Sequence, residues 1–180
     1  MRKITVALAG LGSRGKDTYA KTAKRFSEKM KITAIADIDP EKVKEVAEEY
    51  QIPKEFCFSS AEELLAQEKL ADVMFITTQD RQHVSHAIPA LEKGYNLLLE
   101  KPISPKLEEC RKLLKTAQKY DRKVVVCHVL RYTPFYTKLK EILDAGQIGK
   151  VVTVMGIENV GYWHQAHSFV RGNWRNSNTT

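Results

Sequence analysis

Apolar residues in this chain arrive in short, nearly unbroken runs, separated by longer stretches in which they recur every three or four positions. ITVALA (Ile4 to Ala9), ITAIA (Ile32 to Ala36), VMFIT (Val73 to Thr77), NLLL (Asn96 to Leu99) and VVVC (Val124 to Cys127) read as strands buried on both faces. A weaker strand is expected near Phe56 to Phe58. Between them, Tyr19, Ala23, Phe26 and Met30 place a helix over 16–30. Pro40 suits the first turn of a helix that runs to about Tyr50. Ser60, with Glu63 three residues on, is an N-cap signal. Val84, Ala87, Ile88 and Leu91 mark a helix that stops at Gly94, and Leu107, Cys110, Leu114 and Ala117 mark another. Strand and helix thus alternate, which predicts an α/β fold with a doubly wound parallel sheet. Past residue 130 the pattern changes. Phe135, Leu139, Ile142 and Leu143 give one helix ended by Gly146, KVVTVMGIE (Lys150 to Glu158) reads as a long strand, and the polar, aromatic tail has no period. This part is expected to be the beginning of an incomplete α+β second domain.

In such sheets a ligand lies at the carboxyl ends of the strands. The first of these carries GLGSRGKD, Gly10 to Asp17, which fits two phosphate-binding patterns. Read as G-x-x-x-x-G-K it lacks the Ser or Thr whose hydroxyl would hold magnesium, because Asp17 follows Lys16. Read as G-x-G-x-x-G it uses all three glycines: Gly10 for the tight turn, Gly12 for close approach to a diphosphate, Gly15 for helix packing. Asp37 ends the second strand, 22 residues after Gly15, where an acid binds a ribose 2′-hydroxyl. The dinucleotide reading is therefore preferred, with NAD favoured over NADP because the acid repels a 2′-phosphate. Arg14 is a cation that would soften that preference. Residues 1–125 form the expected Rossmann dinucleotide-binding domain and residues 126–180 the start of a second, unfinished unit.

The other strand ends bear Thr77 to Arg81, Glu100 to Pro102 and His128 to Arg131. Pro102 stiffens the backbone at Lys101. A lysine there could hydrogen-bond a substrate hydroxyl or carbonyl and help move a proton during hydride transfer, or it could be an ordinary surface lysine.

Composition narrows this little. The chain has 180 residues, 43% of them hydrophobic, enough for a core. Its net charge of +7 is scattered among acids, as in EKVKEVAEEY, so no nucleic-acid partner is expected. No apolar run is long enough for a membrane partner. Three separated cysteines fit reduced thiols in a cytoplasmic protein, and no C-x-x-C pair occurs. His83 and His86 lack a third ligand in sequence, so no metal site is expected.

GLGSRG, AIADIDP, TTQDRQHVSHAIPALEKG and LLLEKPIS, in this order and spacing, resemble the Gfo/Idh/MocA oxidoreductases, named for glucose–fructose oxidoreductase and inositol dehydrogenase. CHVLRYTPFYTKLKEILDAGQIGKVVTV continues the likeness into the second domain, which makes residues 126–180 a truncated start of a substrate and oligomerisation domain. The resemblance implies hydride transfer between NAD(H) and a small molecule, a sugar, polyol or related hydroxyl compound. It implies that Gly10, Gly12, Ser13, Arg14, Gly15, Asp37, Thr77, Thr78, Asp80, His83, Glu100 and Lys101 serve the cofactor. Lys101 also takes the catalytic position, and His128, Arg131 and Tyr132 the substrate side. Family members are usually about twice as long and often pair their second-domain sheets, so a homo-oligomer is expected of the full-length form. Their second domain carries a D-x-x-x-H histidine as acid/base, which does not occur in the last fifty residues here. The chain is therefore expected to be a fragment without that group. A non-catalytic dinucleotide-binding module is the alternative.

Overall fold

A computed structural model describes residues 2–176. The chain divides into two compact units, Met1–Cys127 and His128–Thr180. The first is built on a six-stranded, all-parallel sheet of order β3-β2-β1-β4-β5-β6. The strands are β1 (Ile4–Ala9), β2 (Met30–Ala36), β3 (Cys57–Phe58), β4 (Val73–Ile76), β5 (Asn96–Leu99) and β6 (Val124–Val126). The order reverses between β1 and β4, and that switch point opens a crevice at the strands' carboxyl ends.

The helices follow from local chemistry. Asp39 caps α2 (Pro40–Tyr50), its carboxylate accepting the Glu41 amide at 3.1 Å, and Pro40 occupies the first position, where its missing N–H costs nothing. Ser60 caps α3 (Ala61–Ala66) by accepting the Glu63 amide at 3.1 Å. The Glu63 carboxylate instead reaches one residue further back, accepting the Ser59 amide at 2.7 Å. α4 (His83–Glu92) and α5 (Leu107–Lys119) complete the cover.

The sheet faces are unequal. Ala7, Ala9, Ala34 and Ala36 line one face with Met74, Ile76, Leu97 and Leu99, and these small residues let α3 and α4 seat closely through Leu64, Ala87, Ala90 and Leu91. Leu8, Ile32 and Ile35 line the other, against Ala20, Ala23 and Val46. Leu64 is fully buried, so Leu64→Ala would cost about 2–5 kcal/mol.

Two expectations need correction. The helix placed over 16–30 is a π-helical stretch, Ser13–Ala20, that continues as α1 (Lys21–Arg25). It ends early at Phe26, whose φ of −111° and ψ of 43° leave the helical region, and Met30 opens β2. In the second unit, Lys150 to Glu158 forms no strand. Val152, Val154 and Met155 are more than four-fifths exposed, and among the described residues no strand pairs with them, so the ladder that would define a strand is missing. That unit carries the 3₁₀ turn Val129–Tyr132, α6 (Pro134–Asp144), a short α7 (Tyr162–His164) and a π-helical turn, Gln165–Val170, with Trp163 stacked on His167 at 3.5 Å between ring centroids.

Candidate functional site

The glycine loop fills the mouth of the switch point. Gly10 has φ of +91°, and a Cβ there would stand 2.6 Å from the Thr77 carbonyl oxygen. A Cβ on Gly15 would stand 1.9 Å from the Gly10 carbonyl oxygen. Both glycines are thus demanded by the protein's own packing. Gly12 is not: its backbone is extended, at φ −69° and ψ −170°, and a Cβ would meet nothing within 4 Å. What glycine provides at that position is open room above the backbone, at the N-terminus of a helix whose first amides, Ser13 and Arg14 among them, have no intrahelical acceptor. This is the shape a diphosphate requires.

Asp37 follows β2 and is bonded to the neighbouring loop. Its Oδ2 accepts the Leu11 amide at 2.5 Å and its Oδ1 the Asp39 amide at 2.9 Å. Lys16, the residue a P-loop would aim at phosphate, instead pairs with Glu45 on α2 at 2.9 Å, and that bond, first among the causes, raises its pKa. Arg14 Nε lies 3.8 Å from Glu100 Oε1, at the end of β5 and therefore across the switch point.

Beyond β4, Thr77 Oγ1 donates to the carbonyl of Gly10 at 2.6 Å, locking the loop. Asp80 is half-buried on the 3₁₀ turn Asp80–Gln82. His83 is fully buried, its ring nitrogens 2.7 Å from the Pro102 carbonyl oxygen and 3.1 Å from that of Thr78. Its two ring nitrogens are thus both engaged by backbone carbonyls. His86 lies 3.1 Å from Thr78 Oγ1 and 2.9 Å from Glu62, and its hydrogen bond holds the Glu62 carboxyl below the usual carboxylate range. With both histidines so engaged, no group of three or more His, Cys, Asp or Glu among the described residues is arranged to hold a metal.

Glu100 follows β5, only 6% exposed. Its Oε1 accepts the Tyr19 hydroxyl at 2.7 Å and its Oε2 the Lys101 amide at 3.1 Å. Lys101 itself is exposed, and among the described residues its ammonium has no ion-pair partner. The Lys101–Pro102 peptide bond is cis. The structure therefore gathers Gly10 to Gly15, Asp37, Thr77, Thr78, Asp80, Glu100 and Lys101 at the carboxyl edge of the first unit. His128, Arg131 and Tyr132 belong to the second unit, all exposed on or beside its opening 3₁₀ turn. Tyr19 and Cys127, which the sequence marked as helix and strand core, also stand at this edge.

The family model described as "Oxidoreductase family, NAD-binding Rossmann fold" (GFO_IDH_MocA) matches residues 4–128. The chain is 29% identical over 173 residues to the putative oxidoreductase YteT of Bacillus subtilis, covering 93% of this chain and 40% of that protein. It is 27% identical to the inositol 2-dehydrogenase of Corynebacterium glutamicum, over 87% of this chain and 45% of that one. The crystal structure of the WlbA dehydrogenase from Chromobacterium violaceum, in complex with NADH and UDP-GlcNAcA, superposes with a TM-score of 0.75 at 25% identity, over 83% of this chain and 42% of that one. The chain spans less than half the length of these relatives. No helix among the described residues is long and apolar enough to cross a membrane.

Proposed function

The chain belongs to the Gfo/Idh/MocA oxidoreductase family, with its NAD-binding Rossmann fold, and from that premise we propose that its first unit holds NAD(H) for hydride exchange with the CH–OH group of a sugar, polyol or related compound. When bound, the nicotinamide takes up or gives back the hydride. The open room at Gly12 carries this reading, since nothing in the protein explains a glycine there.

The helix amides from Ser13 onward neutralise the diphosphate without a metal. Asp37 receives a ribose hydroxyl and repels a 2′-phosphate. Thr77, Thr78 and Asp80 border the second ribose. NAD+ held by these residues would supply the hydride acceptor for the substrate carbon, and the hydroxyl proton would pass to water. Lys101 Nζ would hydrogen-bond that oxygen and steady the negative charge that grows on it as the proton leaves. His128, Arg131 and Tyr132 serve the substrate side, in a domain that begins near residue 126. The inositol and nucleotide-sugar ligands of the relatives support the substrate class.

Calorimetric titration with NAD and with NADP tests this. The reading expects NAD to bind at least about tenfold more tightly, the size of one repelled or lost charged hydrogen bond. Equal affinity for both, or none for either, contradicts it.

A further inference from the structure

Tyr19 lies on the π-helical stretch Ser13–Ala20, whose opening amides face the diphosphate position. Bonding of the i to i+5 kind widens the helix and shifts its side chains out of α-helical phase. Tyr19 stands half-buried with its ring edge-on to Phe75 of β4, 5.7 Å between centroids. Its hydroxyl donates to Glu100 Oε1 at 2.7 Å and lies 2.9 Å from Cys127 Sγ. One helix residue therefore touches the ends of β4, β5 and β6, the half of the sheet opposite Asp37. Burial first, then the bonds to Cys127 and Glu100, push the phenol's pKa well up, and burial also pushes the Cys127 thiol up. Both stay protonated at working pH. With the one phenolic proton committed to the carboxylate, the thiol S–H supplies the other bond.

We propose that Tyr19 is a positioning residue for Glu100: its hydroxyl fixes the carboxylate so that the second oxygen holds the Lys101 amide, and so ties the diphosphate helix to the strand end that meets the nicotinamide. The inference rests on the NAD reading. It divides the dinucleotide, because the adenosine side is held by Asp37 and the glycine loop, which Tyr19 does not touch. Replacing the hydroxyl leaves Glu100 Oε1 with only the longer 3.8 Å pairing to Arg14, a loss expected chiefly on the nicotinamide side.

The test titrates the chain with NADH and with ADP-ribose, which lacks the nicotinamide, and records the emission of bound NADH. Tyr19→Phe keeps the ring and its Phe75 contact. It is expected to weaken NADH about tenfold and reduce the emission change, while ADP-ribose stays within about twofold. In a Glu100→Ala background the same substitution should change NADH affinity less than about twofold, since the accepting carboxylate is gone. Equal loss for both ligands overturns the positioning role, as does unchanged NADH binding or a full effect in the Glu100→Ala background. A parent chain that binds neither ligand overturns the NAD reading and this inference with it.

Discussion

Asp37 accepts the Leu11 amide hydrogen through Oδ2, so the acid that ends β2 is bonded into the loop that follows β1. It accepts the Asp39 amide through Oδ1 as well. The residue proposed to select the cofactor also shapes the loop. Asp37→Ala should therefore cost about 1–3 kcal/mol of stability, from a half-buried amide left without an acceptor, and at least tenfold in NAD affinity. Asp37→Asn keeps an acceptor for Leu11 and should recover most of the stability, yet lose discrimination against NADP. Urea unfolding and paired titrations separate the two roles.

Gly15→Ala should be severe. The added Cβ would overlap the Gly10 carbonyl at 1.9 Å, backbone against backbone, and neither side can rotate away. A loss of about 3 kcal/mol or more, or insoluble protein, is expected from overpacking at a fixed backbone. Thermal unfolding checks it, and a stable Gly15→Ala protein would contradict the loop geometry.

Lys101→Ala should separate binding from chemistry in the whole protein. NAD affinity should stay within about threefold, while turnover of a sugar or polyol, followed by NADH absorbance, falls about 10²-fold or more. A parallel loss of NAD affinity and no change in rate would make Lys101 a cofactor ligand alone.

At the amino ends of β1 and β4, Thr5 donates to Asp72 through its amide at 3.0 Å and its hydroxyl at 2.9 Å, and Arg2 pairs with the same carboxylate. The Thr5 amide first, then its hydroxyl, hold the Asp72 carboxyl below the usual range. A depressed carboxyl adds stability that is fully present above its unfolded pKa, about 3.9, and is lost as pH falls through the lower folded value. Asp72→Asn should lower stability at neutral pH and flatten the loss on acidification below about pH 4. Urea midpoints measured against pH report it; an acid limb as steep as the parent's would contradict it.

The buried strands were legible because a parallel sheet covered on both faces needs continuous apolar runs, and ITVALA and NLLL supply them. Gly10, Gly15, Asp37 and the Glu100–Pro102 segment were legible because they follow those runs directly. Other features depend on distant partners that no local pattern encodes. The π-helical bonding of Ser13–Ala20 is not marked out from an ordinary helix by any pattern in the sequence. Lys16 was visible as a cation near a phosphate loop, but its capture by Glu45 depends on how α2 packs. The two backbone carbonyls that hold His83 have no sequence signature. Lys150 to Glu158 had strand composition, but composition does not supply a neighbouring strand.

Gly12→Ala tests the account most directly. The position is extended and open, so alanine fits the protein's own backbone, and reduced freedom of the unfolded chain should leave stability unchanged or raise it by up to about 1 kcal/mol. The same methyl group would occupy the space reserved for the diphosphate. Calorimetric titration of the variant with NAD should show affinity lowered at least about tenfold, with the unfolding midpoint held or increased. NAD binding at the parent's affinity would contradict the account.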